Sequence, residues 1–170
     1  MRKFIFIAAL AAAGQLFAEV IPVKSYKFEF PVLASKRDSY SDKQFTKLNN
    51  GGTAHDPLVL DFKSSTVKTA SITFTLENPA NLTAVDFDIF RGPRSFGWKT
   101  VKIYGIEGES KTLIGEKTYN HPYNLPQDAK SREKLQVELK SDKKFSTVEI
   151  TFTVTGSYLG LTEVSFTGSI

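Results

Sequence analysis

Apolar and polar residues alternate at every second position over most of this chain, and that alternation limits the fold class more than any other feature. Ile72, Phe74 and Leu76 alternate with Thr73 and Thr75, and Val85, Phe87 and Ile89 with Asp86 and Asp88. Val101 and Ile103 alternate with Lys102 and Tyr104. The pattern returns in Leu135, Val137 and Leu139, then in Val148, Ile150, Phe152 and Val154, and finally in Val164 and Phe166. A period of two sends one set of side chains to a core and the other to water, which is the geometry of a half-buried strand. Beyond residue 18 there are six alanines against 35 Val, Ile and Thr. β-Branched side chains fit a pleated surface and lose χ1 freedom in a helix. Turn signals at Asn78-Pro79, Gly92-Pro93, Gly105 to Gly108, Ser141-Asp142-Lys143 and Gly156 divide the runs. No segment carries ten or more residues of helical period with caps, and residues 36–56 and 119–134 read as long polar loops. Short strands separated by turns predict an all-β fold, an antiparallel jelly-roll-like β-sandwich of a single domain.

The first eighteen residues follow a different rule. Arg2 and Lys3 precede ten unbroken apolar residues, 4–13, and the small residue Ala18 stands before Glu19. That is the layout of a cleavable secretory signal. A membrane span needs about 20 apolar residues, so this run is too short to be an anchor. The sequence therefore predicts a signal peptide over 1–18, a sandwich domain over 19–170, and a secreted or periplasmic location with no transmembrane segment. Losing Arg2 and Lys3 takes the 22 basic residues to 20 against 18 acidic ones. A nearly neutral, mixed surface is not that of a nucleic-acid binder. The chain has no cysteine, which excludes a disulfide scaffold, a thiolate metal site and a thiol nucleophile.

The residues give little support to catalysis. His55 and Asp56 are neighbours and point to opposite faces of any strand, and His121 sits beside Pro122. No nucleophile elbow, zinc helix or phosphate-binding glycine loop is present. The expectation is a protein that is not an enzyme. A binding site asks for less. Residues 91–98 run Arg-Gly-Pro-Arg-Ser-Phe-Gly-Trp and hold two of the four arginines beyond residue 18 and the only tryptophan. They lie between two expected strands, 83–90 and 99–104, and so form a loop at one end of the sandwich. Sugars offer apolar C–H faces for aromatic rings and hydroxyls for guanidinium donors, which suits Arg91, Arg94, Phe96 and Trp98. Two readings of the aromatics stand: a platform for sugar, or a plug in the end of the sandwich.

Several segments, taken in order, resemble the discoidin or coagulation-factor type C domain of the galactose-binding-like superfamily, in its bacterial carbohydrate-binding-module-like branch. They are Lys47-Leu48-Asn49-Asn50-Gly51, then Ile72 to Leu76, Leu82 to Phe90 with Arg91, Val101 to Glu109, and Leu159 to Gly168. The resemblance covers residue 42 to the end and implies a sandwich whose terminal loops bind glycans, with a structural Ca2+ in many relatives. Carried over, the calcium ligands are the Lys47 carbonyl, the Asn50 side chain, Thr53 and Glu163. Asn50 stands where the family has an aspartate, which removes a negative charge from a site whose affinity depends on carboxylates.

Together these features predict a secreted, non-enzymatic carbohydrate-binding module. Its ligand is a glycan or glycoconjugate held by Arg91, Arg94, Phe96 and Trp98, with His55 and Tyr123 as further contacts. The alternative is an envelope or extracellular protein-interaction module that kept the fold without a sugar site, with a protein as its partner.

Overall fold

The computed structural model describes residues 18–28, 42, 45–51, 57–62, 66, 68–90, 97–119 and 132–170. These form nine strands and one 3-10 turn, Lys47–Asn49. In chain order the strands are β1 (Glu19–Ile21), β2 (Val23–Phe28), β3 (Leu58–Asp61), β4 (Thr69–Phe90), β5 (Trp98–Glu107), β6 (Ser110–Thr118), β7 (Arg132–Glu138), β8 (Phe145–Val154) and β9 (Tyr158–Ser169). Every strand pairing is antiparallel.

The strands make two layers that share β4. Its first half pairs with β2 and β8, and β8 continues through β5 to β6. Its second half pairs with β7 and β9, and the far edge of β9 carries β3 and β1 end to end. The change of layer falls at Asn78-Pro79. The ladder with β8 runs to Thr75 and resumes only at Ala80, so Pro79, which has no N–H to offer, sits where no ladder bond is needed. The sequence read this dipeptide as a turn between strands, but one 22-residue strand passes through it.

The expected alternation is the one observed. Ile72, Phe74, Val85, Phe87, Val101, Ile103, Val148, Ile150, Phe152, Val154, Val164 and Phe166 are all buried. The layers meet through edge-to-face aromatic pairs, Phe74 on Phe166 at 5.3 Å and Phe87 on Phe152 at 5.6 Å. Such pairs add about 0.5–1.5 kcal/mol each beyond their buried area. The outer face of the β2-β4-β8-β5-β6 layer carries Ser71, Thr73, Thr75, Thr147 and Thr151, none of them buried.

Two glycines expected in one turn have separate duties. Gly108 has a φ of 59° and makes the β5–β6 hairpin, a conformation that L side chains resist. Gly105 lies inside β5, against the ring of Phe145. A Cβ there would lie 2.4 Å from the ring. Gly105→Ala is therefore expected to lower stability by about 1–3 kcal/mol, the usual cost of overpacking. The check is the midpoint of urea unfolding; an unchanged midpoint would mean that the ring is free to move aside.

Candidate functional site

Seven strand termini converge at one end of the sandwich. Phe90 pairs with Arg132, Trp98 with Val154, Thr100 with Thr118, and Asp61 with Tyr158. The roots of residues 91–96 and 120–131 are therefore neighbours. These segments carry Arg91, Arg94, Phe96 and Tyr123, which lie outside the described residues. Gly97 fixes the root of the first segment: its N–H donates to the Tyr158 carbonyl at 3.1 Å, and its carbonyl accepts from Thr155 and Gly156.

Trp98 is described, and it is not a platform. It is 1% exposed, stacks on Tyr119 at 5.1 Å and 22°, and meets Phe152 edge-on at 5.9 Å. Its rings are committed to the core, so of the two sequence readings the plug is the one observed. The reason is position: Trp98 opens β5 on the inward side, in step with Val101 and Ile103 across an irregularity in the pairing with β8. Its indole Nε1 is buried and finds no hydrogen-bond acceptor among the described residues.

Tyr119 and Glu133 complete this end and were not singled out in the sequence. The Tyr119 hydroxyl donates to Glu133 Oε1 at 2.5 Å, and its N–H donates to the Lys99 carbonyl at 2.7 Å. Glu133 falls on the same side of β7 as the buried Leu135 and Val137, so it faces inward. A carboxylate at the inward end of an alternating run was the available signal, and it lay in what read as a loop.

The calcium expectation concerns a second place. β1 and β3 leave a gap along the edge of β9, between its partners at 158–161 and 166–168. The turn Lys47–Asn49 packs against β9, with Leu48 fully buried. A buried network holds that turn in position. Asp42, 5% exposed, accepts from the Tyr26 hydroxyl, from Thr46 N at 3.0 Å and from Lys47 N at 3.2 Å. Leu48 N–H donates to the Tyr26 hydroxyl oxygen at 3.0 Å. Asn49, Gly51 and Glu163 border one open cleft of about 850 Å³ on the outer face of this layer. Asp86, Asp88, Lys134 and Ser165 line it further, with Val20 to Val23. The turn with Lys47 and Asn50 is thus brought to the strand with Glu163, while Thr53 and His55 lie outside the described residues. A backbone carbonyl, an amide oxygen and one carboxylate are hard donors that suit calcium. Among the described residues no group of three or more His, Asp and Glu is placed to hold a metal, so such a site would depend on neutral oxygens.

Sequence comparison finds no matching family model and no matching curated protein. Comparison of structures is decisive for the fold. CpGH89CBM32-5 from Clostridium perfringens, solved with GalNAc-β-1,3-galactose, superposes with a TM-score of 0.62 at 12% identity. The match covers 87% of this chain and 99% of that one. The chain shares the fold of this module. An F5/8 type C domain from Bacteroides fragilis gives 0.65 at 9% identity over 89% and 97% of the two chains. A family 32 carbohydrate-binding module of NanJ from C. perfringens, solved with galactose, gives 0.58 at 12% over 88% and 98%. The discoidin-like resemblance read in the sequence is therefore matched by the discoidin-like fold. No helix among the described residues is long and apolar enough to cross a membrane.

Burial and the bond to Asp42 push the Tyr26 hydroxyl well above the ordinary tyrosine value of 10.0. The folded chain then keeps a proton that the unfolded chain releases, so stability from this group is complete below about pH 10 and is lost as pH rises beyond it. Tyr26→Phe removes the link between Asp42 and Leu48 and is expected to cost about 1–3 kcal/mol at neutral pH. Unfolding followed from pH 7 to 11 in both proteins checks this: the difference between them should narrow above pH 10. A constant difference would refute the assignment.

Proposed function

We propose that the chain is a secreted, non-enzymatic carbohydrate-binding module. It recognises a glycan through the segments that leave Phe90, Trp98, Thr118 and Arg132 at one end of the sandwich. One observation carries the reading: modules solved with bound galactose and GalNAc-β-1,3-galactose share this fold over nearly their whole length. Arg91 and Arg94 are the proposed hydroxyl donors, with Phe96 and Tyr123 as the aromatic surface and His55 as a further contact. Trp98 has its rings covered and acts beneath the site. A single shallow site leaves much of the ligand wet, so binding is modest.

A glycan array that includes galactose- and GalNAc-terminated oligosaccharides tests this directly. Wild type is expected to bind, and Arg94→Ala to bind about tenfold or more weakly, from the loss of a charged hydrogen bond. A wild type silent on every glycan would favour the protein-interaction alternative.

Calcium, where bound, would be held by the Lys47 carbonyl, the Asn50 side chain, Thr53 and Glu163, and would brace the turn against β9. An ion bound only by the folded state raises the melting temperature. Calcium is expected to raise it in wild type but not in Glu163→Gln, and equal melting curves with calcium and with chelator would remove the ion from the account. The export signal is proposed to be cleaved after Ala18, since β1 begins at Glu19. The N-terminal residue of the exported protein checks it.

A further inference from the structure

Trp98, Tyr119 and Glu133 join the two layers at the end where the proposed sugar-binding segments begin. Trp98 opens β5 and Tyr119 follows the last residue of β6, both in one layer. Glu133 belongs to β7 in the other layer, paired with Ile89. The Tyr119 ring lies on the Trp98 indole at 5.1 Å, its N–H is held by Lys99, and its hydroxyl reaches Glu133. No ladder joins β6 to β7, which Lys117 Nζ bridges further along by donating to the Gln136 carbonyl at 2.9 Å, whereas β5 with β6 and β4 with β7 are long ladders. Among the described residues Tyr119 is therefore the bridge that lies at the strand ends themselves, beside the roots of the two segments.

The parts fit a positioning role better than a packing role. A core needs no carboxylate, and an inward Glu133 carries a desolvation cost that only a strong acceptor role offsets. Stacking on Tyr119 and Phe152 orients the indole, whose N–H has no acceptor among the described residues. Movement of Tyr119 would then move Trp98 and Gly97 at the root of 91–96, and Glu133 at the root of 120–131, together.

We infer that Trp98, Tyr119 and Glu133 form a strut that sets the spacing of the roots from which the two proposed sugar-binding segments leave, with Tyr119 and Glu133 as positioning residues, a role that rests on the glycan-binding reading above. The hydroxyl-to-carboxylate bond sets the distance, and the aromatic stack transmits it to β5.

Tyr119→Phe keeps the stack and removes the bond. Amide hydrogen exchange without any ligand is expected to quicken about tenfold at both roots together, residues 98–100 and 118–119 in one layer and 133–135 in the other, with the melting temperature within a few degrees of wild type. Glu133→Ala should do the same, whereas Glu133→Gln, which keeps an acceptor oxygen, should restore slow exchange. Exchange that quickens on one side only, or not at all, overturns the strut. For a glycan bound by wild type on the array, Tyr119→Phe should weaken binding about tenfold and Glu133→Gln less than threefold. Undiminished binding by Tyr119→Phe would overturn the positioning role while leaving the glycan reading intact. A wild type that binds no glycan overturns the reading of the segments, and exchange alone then decides the strut.

Discussion

The molecule depends on one strand that serves two sheets. β4 hydrogen-bonds to β2 and β8 in its first half and to β7 and β9 in its second. The layers are covalently continuous through residues 76–80, and their inner faces stand opposite each other across the core. Phe74 and Phe87 lie on either side of the crossing and meet Phe166 and Phe152 on the facing layer. The aromatic core follows from the crossing, and the chain has no disulfide to replace it.

The crossing also separates two regions with different supports. At one end, β3 to β9 bring their termini together, and with them the roots of the connections between layers. Along β9, the 47–49 turn packs against the strand and is held by Tyr26 and Asp42. The first region carries the proposed ligand segments above an aromatic floor. The second carries a structural turn whose backbone donors are bound by a buried aspartate and a tyrosine hydroxyl. In both places a tyrosine hydroxyl next to a carboxylate does the joining, and in both the carboxylate is inward or buried, where such a bond is strongest because water competes least.

Much of this was legible in the sequence, for a physical reason. Side chains such as Ile72, Phe74, Phe152 and Phe166 declare their face by period, and packing decides their burial. The strands that were missed lack the signal. β2 reads Val-Lys-Ser-Tyr-Lys-Phe and buries only Tyr26 fully, while β6 is an edge strand with Leu113 48% exposed and only Ile114 buried. Asn78-Pro79 and Gly105 were misread because turn chemistry is local, whereas their roles, a change of layer and room for the Phe145 ring, are set by distant strands. The candidate site was legible as a stretch of arginines and aromatics, but the commitment of Trp98 to the core depends on Tyr119 and Phe152, and no spacing within 91–98 reveals them. Asp42 and Glu133 were invisible for the same reason, since a buried carboxylate is explained only by its partner.

Amide shifts on titration with galactose or GalNAc-β-1,3-galactose would show where sugar binds, which is proposed to be the end of the sandwich where β5, β6 and β7 meet. The predicted result is a cluster of shifted amides at Gly97 to Thr100, Thr118 to Tyr119 and Glu133 to Lys134, with Val20 to Val23 and Glu163 unmoved. Shifts centred on the outer cleft at Val20 to Val23 and Glu163, or no saturable shift with any sugar that the array identifies, would contradict it.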